Sequence, residues 1–146
     1  MAERLPQTLE NHARLHPPFH FFVLPGAAIA LILAITNVVR HYELLEAWTL
    51  VVLAAVGLMA GLLSRINALK AQDRVIRLEE RLRLAAILNE AQKAKIAELT
   101  ESQLIAIRFA SDGELSALVD KAVQNKLSNK DIKKSIVHWR ADTFRV

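Results

Sequence analysis

The chain of 146 residues contains no cysteine, which excludes disulfides, iron–sulfur clusters and cysteine-based zinc sites. Its aromatic residues are few, namely five Phe, two Trp and one Tyr, and they form no visible platform for stacking nucleic-acid bases. The sequence also lacks a Gly-rich phosphate loop, an H-E-x-x-H motif, a nucleophile–base pair and paired catalytic carboxylates. These absences favour a non-enzymatic protein that needs no cofactor and binds no nucleic acid.

Apolar residues make up 53% of the chain, but they are unevenly distributed. Most of the surplus lies in residues 19–63, whereas residues 64–146 hold 16 of the 19 Lys and Arg. In a soluble helical protein, apolar residues recur at helical spacing throughout. The segregation therefore predicts a membrane protein, and lipid headgroups explain the net charge of +4 at least as well as nucleic acid does.

Two apolar runs are long enough to cross a membrane, one over about 19–39 and the other over about 47–63. Each approaches the roughly 20 residues that span a hydrocarbon core about 30 Å thick. Residues 40–46 leave room only for a tight turn, so a transmembrane helical hairpin is expected. A cleaved signal peptide is disfavoured because the first run starts late and has no clear cleavage site.

The positions of Lys and Arg predict the orientation of this hairpin. Six basic residues follow the second run closely: Arg65, Lys70, Arg74, Arg77, Arg81 and Arg83. The turn holds only Arg40, so the positive-inside rule puts both termini in the cytoplasm. Arg65 and Lys70 are expected to contact lipid headgroups. Because neither run carries a charge near its middle, a transporter is disfavoured, whereas a channel remains an alternative.

Small residues recur along both runs at a spacing of four. Gly26, Ala30 and Ala34 lie on the first run, and Gly57 and Gly61 form a G-x-x-x-G pair on the second. Small side chains let helix backbones approach closely in lipid. These stripes predict close packing, either within the hairpin or between copies of the chain.

Residues 64–99 contain no Pro or Gly and are rich in strong helix formers, so the second span is expected to continue as one long amphipathic helix. Apolar residues along it alternate at spacings of three and four, as in a coiled coil. This oligomer seam comprises Val75, Leu78, Leu82, Ala85, Asn89 and Ile96. Such a seam predicts a homo-oligomer or packing on other helices.

Three helix-start signals follow, each with a hydroxyl residue three positions before a Gln, Glu or Asp. The pairs are Thr100 with Gln103, Ser111 with Glu114, and Ser128 with Asp131. They predict helices over about 101–109, 112–126 and 129–140. Helices this short are unstable alone, so they should pack around a shared core. The expected members of this tail core are Phe109, Leu115, Ile132 and Trp139.

His12, His16 and His20 are spaced by four and would share one face of a helix. Three histidines can hold a metal ion. However, Pro17 and Pro18 interrupt the helix, and no carboxylate accompanies the histidines at ligand spacing. A location among lipid headgroups is favoured over a metal site.

Several segments together carry a resemblance to a known family. They are Asn11-His12-Ala13-Arg14 with Pro18, His20 and Pro25; residues 72–83, QDRVIRLEERLR; residues 108–115, RFASDGEL; and Ile132-Lys133-Lys134 with Trp139-Arg140. The chain resembles a family of small two-span bacterial membrane proteins of unknown function. The resemblance implies a hairpin-plus-tail architecture in a bacterial inner membrane, and it implies no activity.

The resemblance also suggests that the matched polar residues act together. We expect a polar collar at the cytoplasmic interface, consisting of Asn11, His12, Arg14, His20, Asp73 and Arg77.

The sequence thus predicts an all-α membrane protein with four segments. These are an N-terminal cytoplasmic segment (1–18), the transmembrane hairpin (19–63), the long juxtamembrane helix (64–99) and a small helical cytoplasmic tail (100–146). The expected function is a self-associating scaffold, or an accessory subunit of a larger membrane complex, in contact with membrane lipids. The alternatives are a homo-oligomeric pore and a histidine-based metal-binding protein.

Overall fold

The computed structural model describes residues 7–10 and 15–142, and the regular elements in these residues are helices. They form two compact units, one of residues 15–70 and one of residues 71–142 with 7–10. The helices are α1 (Leu24–Arg40), α2 (Leu45–Ile87), α3 (Glu90–Lys93), α4 (Glu101–Ile107), α5 (Leu115–Gln124) and α6 (Asn129–Ser135). The predicted all-helical class is confirmed for these residues, as are the short C-terminal helices. The two units divide after residue 70, and the predicted segment boundaries at residues 63 and 99 stay predictions.

The first unit contains two long helical segments joined by a short turn. The turn closes through backbone hydrogen bonds, since the N–H of His41 donates to Asn37 O at 2.9 Å and that of Leu44 to His41 O at 3.1 Å. The indole Nε1 of Trp48 also donates to Tyr42 O at 3.0 Å. Polar groups of this turn are therefore bonded locally, as a tight connection between two helices requires.

The first helical segment begins with a wide turn. Residues Phe19–Val23 form a π-helix, and the N–H of Leu24 donates to Phe19 O. Pro25 follows at the second residue of α1. Proline has no N–H to donate, and π-turns relieve such interruptions of a helix. The segment nevertheless continues as α1 to Arg40.

Helix α2 ends earlier than the sequence predicts. The expectation of an uninterrupted helix to Leu99 is wrong, because α2 stops at Ile87. Asn89 is extended, and its side-chain Oδ1 accepts a hydrogen bond from the N–H of Gln92 at 3.0 Å. Asn competes for backbone groups in this way and favours helix starts over helix interiors. Asn89 thus begins α3, which a 3₁₀-helix (Ala94–Ala97) follows.

The second unit has an apolar core to which α2, α4, α5 and α6 contribute. Its fully buried side chains include Leu84, Leu104, Ile107, Phe109, Leu115, Val119 and Ile132. Buried Gln103 completes the predicted capping box with Thr100, and its Nε2 donates to Leu127 O at 2.9 Å. This amide therefore satisfies a helix start and holds the connection between α5 and α6.

Helix α6 is shorter than predicted. It ends at Ser135, not near residue 140, and Ile136 is extended. The following residues pair with the segment after α4: Ser111 N–H donates to His138 O at 3.0 Å, and Arg140 N–H to Phe109 O at 2.7 Å. The pairing packs Trp139 against Phe109, with ring centroids 5.2 Å apart. Backbone pairing with a distant segment thus replaces the last turn of the predicted helix.

Helix α5 ends in a Schellman motif. Leu127 N–H donates to Ala122 O at 3.1 Å and Lys126 N–H to Val123 O at 3.3 Å. Lys126 has a φ of 47°, in the left-handed region that glycine adopts most readily. A lysine is therefore strained at this position.

We expect Lys126→Gly to raise the free energy of unfolding by about 0.5–1 kcal/mol, because relief of the left-handed strain exceeds the added freedom of the unfolded chain. Thermal unfolding of the purified protein measures this change. Lys130→Gly is the control, since Lys130 lies in α6 with ordinary helical geometry and glycine should lower stability there. A loss of stability in both variants would contradict the prediction.

Candidate functional site

The first unit presents an apolar surface that residues 7–10 and 15–142 leave largely uncovered. Two helical segments, Phe19–Arg40 and Leu45–Ile87, are long and apolar enough to cross a membrane, and only 6% of each most apolar window is buried. Val39 and Leu45 are 75% and 80% exposed. A core helix of a soluble protein has a similar composition, but it is mostly buried. Apolar surface exposed on this scale marks a site for lipid or for another protein.

The predicted small-residue stripes lie partly in the packed region of this unit and partly outside it. Ala34 is buried, and a Cβ placed on Gly61 would lie 3.3 Å from Val23 Cγ1. A Cβ on Gly26 or Gly57 would meet nothing within 4 Å, and Ala30 is exposed. Gly26 and Gly57 therefore have open space beside them, whereas Ala34 and Gly61 lie in packed surroundings. Packing between copies through Gly26, Ala30 and Gly57 stays a prediction.

The second unit contains a charged cavity of about 480 Å³. Its lining is formed by Ile76, Glu79, Glu80, Arg83, Arg108, Arg140, Ala141 and Asp142. Three arginines and three carboxylates thus share one space, so their charges balance. The lining contains no Ser, Cys, His or Lys, so its ionisable side chains are these arginines and carboxylates.

Arg83 is the centre of the charge network beside this cavity. Its guanidinium lies 3.1 Å from Glu80 Oε2, donates from Nη2 to Ala110 O at 2.8 Å and donates from Nε to Asp112 Oδ1 at 2.8 Å. These bonds join α2 to the segment that precedes α5. Charge-assisted bonds of this kind are stronger than neutral ones and fix geometry.

The other two arginines extend the network. Arg108 Nε lies 3.2 Å from Asp142 Oδ2, and its guanidinium carbon lies 4.5 Å from the centroid of the Phe109 ring. Arg140 Nη1 lies 3.8 Å from Glu80 Oε1. The arrangement holds the C-terminal residues against α2.

Three described carboxyl groups in this unit have pKa values shifted by their surroundings. Hydrogen bonds from Lys95 and Gln92 lower the pKa of Asp120. Burial raises the pKa of Glu80, although Arg83 and Arg140 oppose the shift. Burial also acts to raise the pKa of Glu114, but hydrogen bonds from the N–H groups of Val137, Ser111 and His138 outweigh it and lower the pKa overall. Of these three N–H donors, the sequence indicates only Ser111, through its capping box with Glu114. The other two donors are more than 20 residues away from Glu114.

The predicted seam divides where α2 ends. Val75, Leu78 and Leu82 are 55%, 60% and 64% exposed, and Ala85 is exposed as well. Asn89 begins another helix, and Ile96 packs against the core of the second unit. The seam as predicted is therefore wrong beyond Ile87, because the helix that would carry it has ended.

The three histidines proposed as metal ligands are His12, His16 and His20. His20 Nδ1 lies 2.9 Å from His16 O, and His12 lies outside the described residues. Among residues 7–10 and 15–142, no group of three or more His, Cys, Asp and Glu is placed to hold a metal ion.

The remaining predicted residues have individual surroundings. Of the proposed collar, Asn11, His12 and Arg14 lie outside the described residues. Arg77 donates from Nε to Asp73 O at 3.2 Å and pairs with Glu101. Arg65 is half-buried and Lys70 is exposed. The tail-core residues Phe109, Leu115 and Ile132 are fully buried, and Trp139 packs against them.

A family described as a family of unknown function (DUF6526) matches residues 1–146. The chain belongs to this family. No curated protein and no solved structure matches the chain significantly. DUF6526 membership confirms the expected relation to a family of unknown function, and it assigns no activity to the charged cavity.

Glu80→Gln tests the electrostatics of the DUF6526 chain's cavity. Because the raised pKa means that folded Glu80 holds its proton more tightly than unfolded Glu80, ionisation costs stability as the pH rises above the ordinary value of 4.5. We therefore compare the free energies of unfolding of wild type and variant at each pH. The value for wild type minus the value for the variant should fall as the pH rises above 4.5. Chemical unfolding at a series of pH values measures the difference. The variant Glu98→Gln, at an exposed site, controls for the loss of one carboxylate, and a rise with pH would contradict the prediction.

Proposed function

We propose that this chain is a non-enzymatic integral membrane protein of the bacterial inner membrane. In this proposal α1 and the N-terminal part of α2 cross the bilayer, and both termini lie in the cytoplasm. The second unit then serves as a structural module, either as a self-associating scaffold or as an accessory subunit of a larger complex.

The uncovered apolar surface of the first unit carries the proposal. With only 6% of each apolar window buried, the long helices need an apolar surrounding to be stable. Helices satisfy their backbone groups internally, which hydrocarbon requires of any segment that crosses it. The turn also supports insertion, because the N–H groups of His41 and Leu44 and the Trp48 indole all have nearby backbone acceptors.

The distribution of charge supports the orientation. Residues 64–146 contain 16 of the 19 Lys and Arg, and the turn between the helices contains one. Cytoplasmic segments next to spans carry such an excess of basic residues. The same residues would attract the anionic headgroups of the inner leaflet.

The polar groups of the second unit support a structural role. Gln92 Nε2 donates to Ser116 Oγ at 2.7 Å and to Asp120 Oδ2 at 3.0 Å, and Lys95 pairs with Asp120 at 2.8 Å. This cluster joins α3 and the following 3₁₀-helix to α5. This cluster and Arg83 thus use polar side chains to hold neighbouring helices together. A module that docks on a partner needs such a fixed fold.

Membrane fractionation tests the proposal. We expect wild-type protein to stay in the membrane pellet after alkaline carbonate extraction. Val52→Arg with Val56→Arg puts two charges on the exposed apolar surface of α2, each costing roughly 2.5–3.5 kcal/mol in a bilayer, so this variant should leave the pellet or aggregate. Val137→Arg, at an exposed valine of the second unit, is the matched control and should stay in the pellet.

Release of wild type by carbonate would contradict the proposal. Ion flux through liposomes that contain the purified protein would favour the pore instead of the scaffold.

A further inference from the structure

Helix α2 has two different faces in the second unit. Ile76, Glu80 and Leu84 are buried against the rest of the unit. Val75, Leu78 and Leu82 point away from that side, and more than half of each side chain is exposed. At 3.6 residues per turn the two sets lie on opposite sides of the helix. A second apolar stripe therefore remains uncovered by the described part of the chain.

Charged residues border this stripe with opposite signs on its two edges. In a heptad with Val75 and Leu82 at a and Leu78 at d, Arg74 and Arg81 occupy g positions, and Glu79 occupies e. Among the described residues, neither Arg74 nor Glu79 forms an ion pair within the chain. One edge thus carries two arginines and the other carries one carboxylate, which makes the surface complementary to a second copy of itself at Arg74 and Glu79.

We propose that this face of α2, formed by Val75, Leu78, Leu82 and Ala85, pairs in parallel with the same face of a second copy of the chain. In a parallel pair each g residue faces the e residue of the next heptad on the partner helix, so Arg74 meets Glu79 twice. In an antiparallel pair g faces g and e faces e, which brings Arg74 near Arg81 and Glu79 near Glu79. The charges therefore select the parallel arrangement.

This pairing rests on the proposed membrane insertion for its orientation. Copies inserted in the same sense in one bilayer present their α2 helices in parallel. The apolar stripe covers only about two heptads before α2 ends at Ile87, which is short for an isolated coiled coil. Confinement to a membrane raises the effective concentration of one helix near the other, which compensates for a short interface. A second copy is thus favoured over a soluble partner.

Cysteine cross-linking in membranes tests the pairing, since the natural chain has no cysteine. Ala85→Cys puts a thiol at an exposed d position of α2, whereas Ala117→Cys puts one at an exposed alanine of α5. Under mild oxidation of native membranes that contain the full chain, we expect at least five-fold more disulfide-linked dimer from Ala85→Cys than from Ala117→Cys. Equal yields, or a cross-link to a different protein in place of the dimer, would overturn the pairing.

Charge exchange in the Ala85→Cys background tests the orientation. Arg74→Glu and Glu79→Arg each put like charges face to face twice in a parallel dimer, and we expect each to lower the yield about five-fold. The double variant Arg74→Glu/Glu79→Arg restores opposite charges and should recover the wild-type yield. A higher yield from either single variant, or no recovery in the double variant, would overturn the parallel arrangement.

Carbonate extraction of the same membranes separates the two proposals. Protein that stays in the pellet but cross-links equally at residues 85 and 117 would overturn the pairing and leave membrane insertion standing. Release of the protein by carbonate together with equal cross-linking would overturn both, whereas release with preferential cross-linking at residue 85 would overturn insertion alone.

Discussion

Two long helices of this DUF6526 protein each contain an 18-residue window of mostly apolar side chains, and within the described part of the chain little covers these windows. Their backbone groups are bonded inside the helices, and the turn between them bonds its own N–H groups. In these two windows the exposed surface is therefore mostly side-chain hydrocarbon. Water makes such a surface costly, at roughly 25 cal/mol for each Å² of apolar area. The proposed location in a bilayer follows from this cost of exposing apolar surface to water. The apolar composition of the first unit and the basic residues beside it fit the same location.

The pattern along α2 changes where the second unit begins. Up to about residue 63 the helix is apolar on all sides, whereas between Ala71 and Ile87 it has a buried face and an exposed one. The buried face carries Leu84 into the core and Arg83 to the segment before α5. Glu114 then bonds the N–H groups of Val137 and His138 and so holds the C-terminal residues. A few charged side chains thus organise short helices that would not be stable alone.

The sequence predicts the features that depend on local signals. Hydropathy is sufficient for the two long apolar helices, and the capping residues Thr100 and Ser128 are sufficient for the starts of α4 and α6, because these signals act within a few residues. Asn89 shows where local patterns fail. It falls on a heptad position and is also a strong helix-capping residue, and the structure follows the cap.

The contacts of the cavity could not be predicted in the same way. Arg83 and Asp112 are 29 residues apart, and Glu114 and Val137 are 23 apart, so no short motif joins them. The early end of α6 has the same origin, because pairing of residues 138–140 with 109–111 depends on the assembled core. The exposure of Val75, Leu78 and Leu82 likewise becomes visible only once the opposite face of α2 is seen to be buried.

The most direct measurement is the reaction of single cysteines along α2 with a membrane-impermeant maleimide in broken membranes, where both surfaces are accessible. In the structure the side chains at residues 52, 53 and 56 of the first unit are about 60% exposed, so nothing in the described chain shields them. If lipid covers the first unit, cysteines at 52, 53 and 56 react only after the membrane is dissolved and denatured, whereas cysteine at the exposed Asn125 of the second unit reacts at once. Equal and rapid reaction at all of these positions in intact bilayers would contradict the account.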